Sequence, residues 1–432
     1  MEKIFKIKEK GSTVRTEIIG GIVIFFSMAY IIFVNPEILS QTGMNFNAVV
    51  IATCLASALG CFLTAFMSNV PFAQAPGMGL NAFFTYTTCF SLGYTWQQGL
   101  AIVFMSGILF LIVAVSPFRA KIIAAVPMFM KSAISAGIGL FIAFIGLLNS
   151  GIVVTGDGYT DLGGITSGAP LLALIGLVLM TILITWKVKG AMFIGIIVTT
   201  LIGIPMGLTK YVPMDVTISV ISETFGKLSF AGILEPGLLS LITAIVSFAI
   251  VDCFDTAGTL IGTAANAGML DKNGNFPGGD RAMIADAIAT CTGAVLGTST
   301  VTTYVESSTG IAEGARTGLA SAVVGVLFML SCFIAPVAGV IPSAATAPAL
   351  IIVGIYMIKG AASVEWDNFE EAVPAFLTIA VMPFAYSISD GIGFGFISYF
   401  IIKIFRGKAK EVPVLVYFIA ALFILMYILS SL

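Results

Sequence analysis

The sequence predicts an all-α membrane protein whose helices cross the bilayer many times. Of its 432 residues, 58% are hydrophobic and only 10% are charged, and the mean hydropathy is +1.08. Soluble domains carry about 25% charged residues, so no water-soluble fold could bury this much apolar surface. The chain must therefore lie mostly in lipid, where a helix satisfies its own backbone hydrogen bonds.

Long apolar runs separated by short polar segments define the predicted spans. They cover residues 18–34, 48–69, 79–91, 98–116, 128–149, 169–186, 190–208, 237–262, 282–297, 305–315, 317–341, 345–359, 371–387 and 390–405. The third and tenth runs are too short to cross a bilayer alone, because a span needs about 20 residues. A further run, 412–431, predicts an extra helix whose position the sequence does not define.

The basic residues predict the orientation of the chain. With a cytoplasmic N-terminus and fourteen spans, nearly all of the 20 lysine and arginine residues fall on the cytoplasmic side. Lys131 lies close to that side, and Lys210 and Lys227 lie in one external loop. Cytoplasmic loops carry an excess of Lys and Arg, so this distribution favours fourteen spans in a multi-pass protein of the cell membrane.

Two similar segments indicate an inverted internal repeat. Residues 52–60 (ATCLASALG) resemble residues 289–297 (ATCTGAVLG), and these segments belong to the second and ninth spans. Because seven spans separate the two copies, they must cross the bilayer in opposite directions. Each copy is followed by a non-helical stretch and then by an unusually short helix, as in transporters built from inverted repeats.

The two non-helical stretches predict a pair of short strands at membrane depth. Residues 70–81 contain two prolines and two glycines, which stop a helix. Residues 298–305 are rich in β-branched and aromatic side chains, which favour a strand. Pairing between the two stretches would satisfy backbone groups that lipid cannot, and each would lead into a half-helix. Loops at the membrane surface are the alternative.

Carboxylates within the spans are the candidates for a functional site. The chain has no histidine, so titrating chemistry falls on acidic residues. Asp255 lies near the middle of the eighth span, and Glu306 follows the second predicted strand at the start of a half-helix. An acidic residue inside the membrane is costly and marks an ion or substrate pathway. A structural ion pair is the alternative for both residues.

Other acidic residues receive secondary assignments. Asp252 lies one helical turn from Asp255 and is predicted to support it. Asp286 lies nearer the cytoplasmic end of its span and is predicted to serve helix packing. Glu313 is close to Arg316 in sequence, which predicts an ion pair at the surface.

The charges predicted near the bilayer centre restrict the substrate. Apart from Lys131, every basic residue falls in a tail, a loop or the interface, whereas an anion site would want a central base. Asn81, three residues into the first half-helix region, is a predicted ligand contact. Carboxylates and an amide suit a cation, or a neutral planar heterocycle whose adjacent N–H groups donate to one carboxylate.

Two motifs identify the family that the sequence resembles. Residues 75–82 (APGMGLNA) and 254–260 (FDTAGTL) resemble the nucleobase–cation symporter-2 family, or nucleobase–ascorbate transporters, and specifically its AzgA-like branch of adenine, guanine and hypoxanthine permeases. The similarity runs from about residue 16 to residue 410. It implies import of a purine with a proton or Na⁺, without a cofactor, a metal site or catalysis. Lipid surrounds such a chain, no nucleic acid is bound, and a homodimer is left open.

The resemblance also implies two inverted sets of seven spans, divided into a core and a gate domain as in uracil transporters. The implied segments are a cytoplasmic tail (1–15), the first core half (16–116, spans 1–4), the first gate half (117–208, spans 5–7), an external loop (209–236), the second core half (237–341, spans 8–11), the second gate half (342–405, spans 12–14), and a basic loop with the extra helix (406–432).

The resemblance assigns substrate ligands residue by residue. The family's acidic ligands in spans 8 and 10 match Asp255 and Glu306. A backbone contact from the break before span 3 falls near Met78. The residue after the span-10 acid is usually Asn but is Ser307 here, and Ser307 is a predicted substrate contact by this match. The departure leaves further contacts beyond Glu306 undefined.

The coupled proton is assigned to the same acids. Asp255, Glu306 and Asp252 are the predicted carriers, because a buried carboxylate can bind and release a proton. A histidine that follows the span-8 acid in uracil-type members is Thr259 in this chain, so that part of their proton pathway does not transfer. Thr259 remains a predicted substrate contact.

Two other functions remain open from the sequence. One is an anion permease of the same architecture, for sulfate or a dicarboxylate, which the lack of a central base disfavours. The other is a membrane-embedded prenyltransferase in which Asp252 and Asp255 hold Mg²⁺ and a diphosphate. That chemistry needs two acid-rich clusters that face each other, and the sequence offers one.

Overall fold

The protein is a helical bundle with two short antiparallel β-ladders. The computed structural model describes residues 2–117, 119, 125–156, 159–209, 218–271, 276–334 and 338–430. The sequence-based placements of Lys121, Lys210 and Lys272 lie outside the described residues.

Helices account for most of the described chain. Those of the first half are α1 (Glu2–Phe5), α2 (Val14–Met28), α3 (Ile31–Leu39), α4 (Phe46–Leu63), α5 (Met78–Ala82), α6 (Trp96–Val115), α7 (Met128–Asn149), α8 (Gly168–Thr185) and α9 (Ala191–Gly203). Those of the second half are α10 (Leu238–Asn266), α11 (Gly279–Leu296), α12 (Ser307–Ala312), α13 (Gly318–Ser331), α14 (Ser343–Ile358), α15 (Phe369–Phe384), α16 (Ile388–Phe405) and α17 (Val414–Ser430). Helices α4 and α5 continue as π-helices, Thr64–Ser68 and Phe83–Ser91. Every predicted apolar run overlaps one of these helices.

Many of these helices have the length and composition of membrane spans. Among the described residues, 8 helical segments are long and apolar enough to cross a bilayer. One of them, Val14–Thr42, joins α2 and α3. Shorter apolar helices are Ala191–Gly203, Gly318–Ser331 and Val414–Ile428. The fold is therefore that of a multi-pass membrane protein, and fourteen spans remain a prediction.

The predicted strand pair is confirmed. Strand β1 (Gln74–Pro76) pairs antiparallel with β4 (Val301–Thr303), with Gln74 opposite Thr303 and Pro76 opposite Val301. All three residues of each strand are buried, so the alternative of two surface loops is wrong. A second ladder joins β2 (Val153–Gly156) to β3 (Tyr159–Leu162), which the sequence did not predict.

Each buried strand leads directly into a short helix. Strand β1 continues into α5 through Gly77, and a side chain on Gly77 would collide with the methyl group of Thr302 in β4. Strand β4 continues through Glu306 into α12. Because the strands run in opposite directions, the two strand–helix units are arranged as an inverted repeat requires.

The helices pack in two groups. In the first, α2 packs on α12 and α13, α4 on α11 and α13, and α6 on α10 and α11, with the β1–β4 pair against α4, α10 and α11. In the second, α7 packs on α14 and α15, α15 on α16, and α8 on α9 and α14. The first group holds the strands, and the second contacts it through α7 with α5 and α10, α14 with α3, and α9 with α2.

The C-terminal helix now has a position. Helix α17 packs against α16 and also against α10. The hydroxyl group of Tyr427 donates a hydrogen bond of 2.9 Å to Asp390 of α16. At the start of α17, the hydroxyl group of Tyr417 donates to the backbone oxygen of Ala409 over 2.8 Å.

The predicted pair of Glu313 and Arg316 is wrong. Glu313 instead forms an ion pair with Lys189, which lies between α8 and α9. The distance from Nζ of Lys189 to Oε1 of Glu313 is 2.5 Å. The guanidinium of Arg316 donates to the backbone oxygens of Ile311 and Ala315, each at 2.7 Å. Arg316 therefore covers the carbonyl end of α12, where a cation is favourable, and Glu313 is left for the neighbouring group of helices.

Candidate functional site

A cavity of about 630 Å³ lies between α10 of the first group and α7 of the second. Its lining includes Asp255 and Thr259 of α10, Lys131 of α7, and Gly77 and Gly79 at the junction of β1 with α5. The cavity extends towards the end of the molecule where α7 begins and α10 and α14 end, which is the predicted cytoplasmic side. A larger cavity of about 1140 Å³ is lined by the N-terminal segment and the surface pair Arg119–Asp280, away from the strands.

Strand β4 holds Asp255 in this cavity. The hydroxyl group of Thr302 in β4 donates a hydrogen bond of 3.1 Å to Oδ2 of Asp255. The Asp255 side chain is exposed to the cavity, so its carboxylate can accept further hydrogen bonds from a ligand. The strand therefore fixes the orientation of the acid without enclosing it.

Glu306 lies at the start of α12, immediately after the strand segment that holds Asp255. The hydroxyl group of Tyr30, at the junction of α2 and α3, donates a hydrogen bond of 2.8 Å to Oε1 of Glu306. Tyr30 is only 1% exposed. The neighbouring Val305 lines the cavity, so Glu306 sits at its edge. One segment, residues 302–306, therefore positions both acids: Thr302 donates a hydrogen bond to Asp255, and Glu306 is its last residue.

Asp286 and Asp252 lie on the other side of the strands from the cavity. Oδ1 of Asp286 accepts hydrogen bonds from Thr303 of β4 over 2.8 Å and from the side-chain amide of Gln74 in β1 over 3.1 Å. Asp252 accepts a hydrogen bond of 3.0 Å from Thr290 of α11. Asp286 therefore clamps the two strands to α11, a more specific contact than the predicted helix packing, and Asp252 faces α11.

Two further residues that were predicted to contact the substrate accept hydrogen bonds from other groups of the protein. Asn81 is fully buried outside the cavity, and its Oδ1 accepts a hydrogen bond from the hydroxyl group of Ser299. Ser307 is also fully buried, and its hydroxyl oxygen accepts a hydrogen bond of 3.0 Å from the backbone N–H of Ala73. Each side chain therefore joins one strand–helix unit to the other.

The remaining predicted contacts differ in their access to the cavity. Met78 begins α5 and its side chain is only 6% exposed, although both flanking glycines line the cavity. Thr259 lines the cavity one helical turn beyond Asp255, on the predicted cytoplasmic side. The structure thus brings Asp255 and Thr259 into the cavity, with Glu306 at its edge.

Lys131 is the residue that sequence reasoning missed. The sequence placed it close to the cytoplasmic side without giving it a role, and its ammonium lies 5.1 Å from the centroid of the ring of Phe254, the residue before Asp255 in the chain. Lys131 lies in the first turn of α7, and its side chain extends towards the cavity. Its position at the start of a predicted span indicated a base close to the cytoplasmic side, but not which neighbour that base faces.

These features together define a multi-pass membrane permease: a buried strand pair that leads into short helices, with acids beside an internal cavity. The model of the xanthine/uracil permeases, described as "Permease family", matches residues 15–394. The chain belongs to this family, the nucleobase–ascorbate transporters, and to its branch of adenine, guanine and hypoxanthine permeases. It is therefore a transporter and not an enzyme, so the prenyltransferase alternative is wrong.

Several characterised or named relatives match over almost the full length. A putative permease of Methanocaldococcus jannaschii is 46% identical, over 100% of this chain and 99% of the relative. The guanine/hypoxanthine permease PbuG of Bacillus subtilis is 44% identical, over 99% of each chain. The adenine permease AdeP of Escherichia coli is 41% identical, over 98% of this chain and 95% of the relative.

Solved structures share the fold at low sequence identity. The transmembrane domain of the cyanobacterial bicarbonate transporter BicA matches with a TM-score of 0.64 at 12% identity, over 87% of this chain and 97% of that chain. The murine anion transporter Slc26a9 in the inward-facing state also has a TM-score of 0.64 at 12% identity, over 91% of this chain and 68% of that chain.

Proposed function

We propose that this protein imports purine nucleobases by cation symport, with Asp255 as the principal substrate ligand. The observation that carries the proposal is the Asp255 carboxylate, held by Thr302 and exposed to the cavity. A carboxylate fixed on one side accepts adjacent N–H groups of a planar base on the other. Relatives named as guanine/hypoxanthine and adenine permeases support a purine as the substrate.

The surroundings of Asp255 suit a flat, neutral ligand. Gly77 and Gly79 line one wall of the cavity, and the methyl groups of Thr302 and Ile138 fill the space that a side chain on either glycine would take, so this wall is closely packed and apolar. Glu306 offers a second carboxylate at the edge, one oxygen of which is used by Tyr30. In this proposal the free oxygen of Glu306 accepts a further N–H of the base.

The coupled ion in this proposal is a proton, carried by Asp255, Glu306 and Asp252. A carboxylate in a dry site binds a proton readily, because desolvation penalises the charged form. Because Asp255 and Glu306 are also the proposed substrate ligands, their protonation would couple the two events, with Asp252 as a further carrier one helical turn from Asp255. Na⁺ is the alternative ion, and the transport experiment distinguishes the two.

The proposed movement divides the molecule as the two packing groups do. The first group, with the strands, forms the proposed core, and the second forms the gate. With the N-terminus in the cytoplasm of a cell-membrane protein, the cavity opens inward, so this conformation releases the base to the cytoplasm. The ion pair of Lys189 with Glu313 joins the proposed gate to the proposed core at 2.5 Å.

Uptake into proteoliposomes tests the proposed function. We expect radiolabelled hypoxanthine to accumulate when the interior is made alkaline relative to the outside, and the signal to collapse when a protonophore removes the gradient. A Na⁺ gradient at equal pH should give no accumulation if the proton is the coupled ion. Absence of purine uptake under either gradient would reject the proposal.

An anion permease is the second candidate, because Lys131 brings a positive charge to the cavity. Asp255 in the same cavity opposes it, since a carboxylate repels an anion. Labelled sulfate, bicarbonate and succinate are therefore included in the uptake series. Uptake of any of these anions without purine uptake would favour this candidate.

Replacement of Tyr30 by Phe should raise the KM for the purine by roughly tenfold, because a hydrogen bond to a charged group is worth about 1.5–3 kcal/mol. We expect the maximal rate to fall much less, since Tyr30 orients Glu306 and does not itself line the cavity. The KM and maximal rate are measured by initial uptake rates over a substrate series.

Tyr417→Phe is the matched control for this prediction. This variant also removes one hydrogen bond made by a tyrosine hydroxyl group, in this case to the backbone oxygen of Ala409. That bond lies at the start of α17. Equal KM values for Tyr30→Phe and the unmodified protein would contradict a positioning role for Tyr30. A fall in stability with unchanged KM would assign Tyr30 to packing alone.

A further inference from the structure

Lys131 places a cation in the same cavity as Asp255, and the two residues come from different groups of helices. Lys131 belongs to α7, in the second packing group, whereas Asp255 belongs to α10, in the first. Both side chains line the cavity of about 630 Å³. A ligand bound there therefore meets a hydrogen-bond acceptor on one wall and a cationic donor on the other.

The aromatic ring beside Asp255 keeps the ammonium in the cavity. A lysine near the end of a membrane helix ordinarily extends towards the polar interface. The Nζ atom of Lys131 instead lies 5.1 Å from the centroid of the Phe254 ring, within the range of a cation–π interaction. Phe254 precedes Asp255 in α10, so the ammonium contacts the same helix that carries the carboxylate.

The chemistry of an ammonium distinguishes one class of purine from another. Lysine has three N–H donors and no acceptor. Guanine and hypoxanthine carry two neighbouring acceptors, O6 and N7, on one edge, and lysine is a common partner of that edge in guanine recognition. Adenine has an amino donor in place of O6, so an ammonium facing that position is left without an acceptor and the amino group without a partner.

The N–H groups of the same bases complement the opposite wall. Guanine presents N1–H and its 2-amino group side by side, and hypoxanthine presents N1–H, as donors to the Asp255 carboxylate. With that edge on Asp255, O6 follows directly along the ring and N7 lies beyond it, on the side available to Lys131. Adenine has no hydrogen on N1, so it cannot make both contacts in this orientation.

We propose that Lys131 is a specificity-determining residue that selects 6-oxopurines over adenine by donating to O6 and N7. This inference rests on the proposed function, because it concerns which purine the same cavity accepts. Relatives of similar identity include both a guanine/hypoxanthine permease and an adenine permease, so family membership does not decide between the two classes.

Competition against labelled hypoxanthine tests the inference. In the unmodified protein, unlabelled guanine and hypoxanthine should inhibit uptake at concentrations at least about tenfold below adenine. Lys131→Gln should reduce that ratio by roughly 10-fold to 100-fold, because Gln can both donate to and accept from a base edge, and a good contact of this kind discriminates by about 1–3 kcal/mol. Lys131→Arg, which keeps the donors, should retain the preference.

Lys359→Gln is the matched control. Lys359 also lies over an aromatic ring, at 5.3 Å from the centroid of Tyr356, but it is not among the residues that line the cavity. The control should leave the ratio of inhibition constants unchanged. A variant that does not transport is compared by the binding of hypoxanthine and adenine to the detergent-solubilised protein, which gives the same ratio.

The outcomes separate this inference from the proposed function. Equal inhibition by adenine and hypoxanthine in the unmodified protein would overturn it while leaving purine transport intact. An unchanged ratio in Lys131→Gln, in transport or in binding, would also overturn it. If no purine is transported or bound by the unmodified protein, the proposed function itself fails.

Discussion

Asp255→Asn and Glu306→Gln should each lower purine uptake by about 30-fold or more, because each removes a charged acceptor from a recognition site, a loss worth about 2–5 kcal/mol. The size of the side chain is kept in both variants, so Thr302 can still contact residue 255 and Tyr30 residue 306. Uptake is measured in proteoliposomes that contain equal amounts of protein. Size-exclusion chromatography should give an unchanged, monodisperse peak for each variant.

Two surface acids provide controls for these variants. Asp280→Asn removes an acid whose side chain is 73% exposed and that pairs with Arg119. Glu411→Gln removes an acid that is 60% exposed beside Lys403. Both should transport at rates within about twofold of the unmodified protein, because exposed pairs contribute little. Normal uptake by Asp255→Asn and Glu306→Gln would refute the assignment of the site.

Asp286→Ala should destabilise the folded protein by about 3 kcal/mol. The change removes the acceptor of two buried hydrogen bonds, leaving the Thr303 hydroxyl without this acceptor and the Gln74 amide with only a long bond of 3.4 Å to Thr303. Each unsatisfied buried donor costs about 1–3 kcal/mol. The apparent melting temperature of the detergent-solubilised protein, followed by tryptophan fluorescence, should fall by several degrees.

The control for this prediction is Asp280→Ala, which changes an acid in the first turn of the same helix. Asp286 and Asp280 both belong to α11, but only Asp286 contacts the strands. An unchanged melting temperature for Asp286→Ala would show that the β1–β4 pair does not depend on this clamp. Loss of uptake without loss of stability would instead give Asp286 a direct part in transport.

The sequence predicted the elements of this fold well, because apolar runs and helix breakers act locally. The prolines and glycines around Gln74 and the β-branched run at Val301–Thr303 predicted two strands, and their pairing followed from the need to satisfy backbone groups in lipid. The position of α17 could not be predicted, because an evenly apolar helix does not indicate its neighbours.

The site was predictable only in part, for a related reason. A carboxylate inside a span is costly enough to stand out, so sequence position alone selected Asp255 and Glu306 as candidates, and the structure places Asp255 in the cavity. Asn81 and Ser307 are polar residues near the same breaks, and sequence spacing does not distinguish a side chain that faces a ligand from one that joins two strands. Lys131 was missed because its contact with Phe254 depends on how α7 packs against α10.

The ladder of β1 and β4 also limits how a transport cycle can proceed. Only three residues of each strand form the ladder, and all are buried. If α5 and α12 swung apart like the two halves of a clam, unpaired peptide groups would meet hydrocarbon at several kcal/mol each. The two short helices must therefore move together in any transport cycle, because separating them would break the ladder.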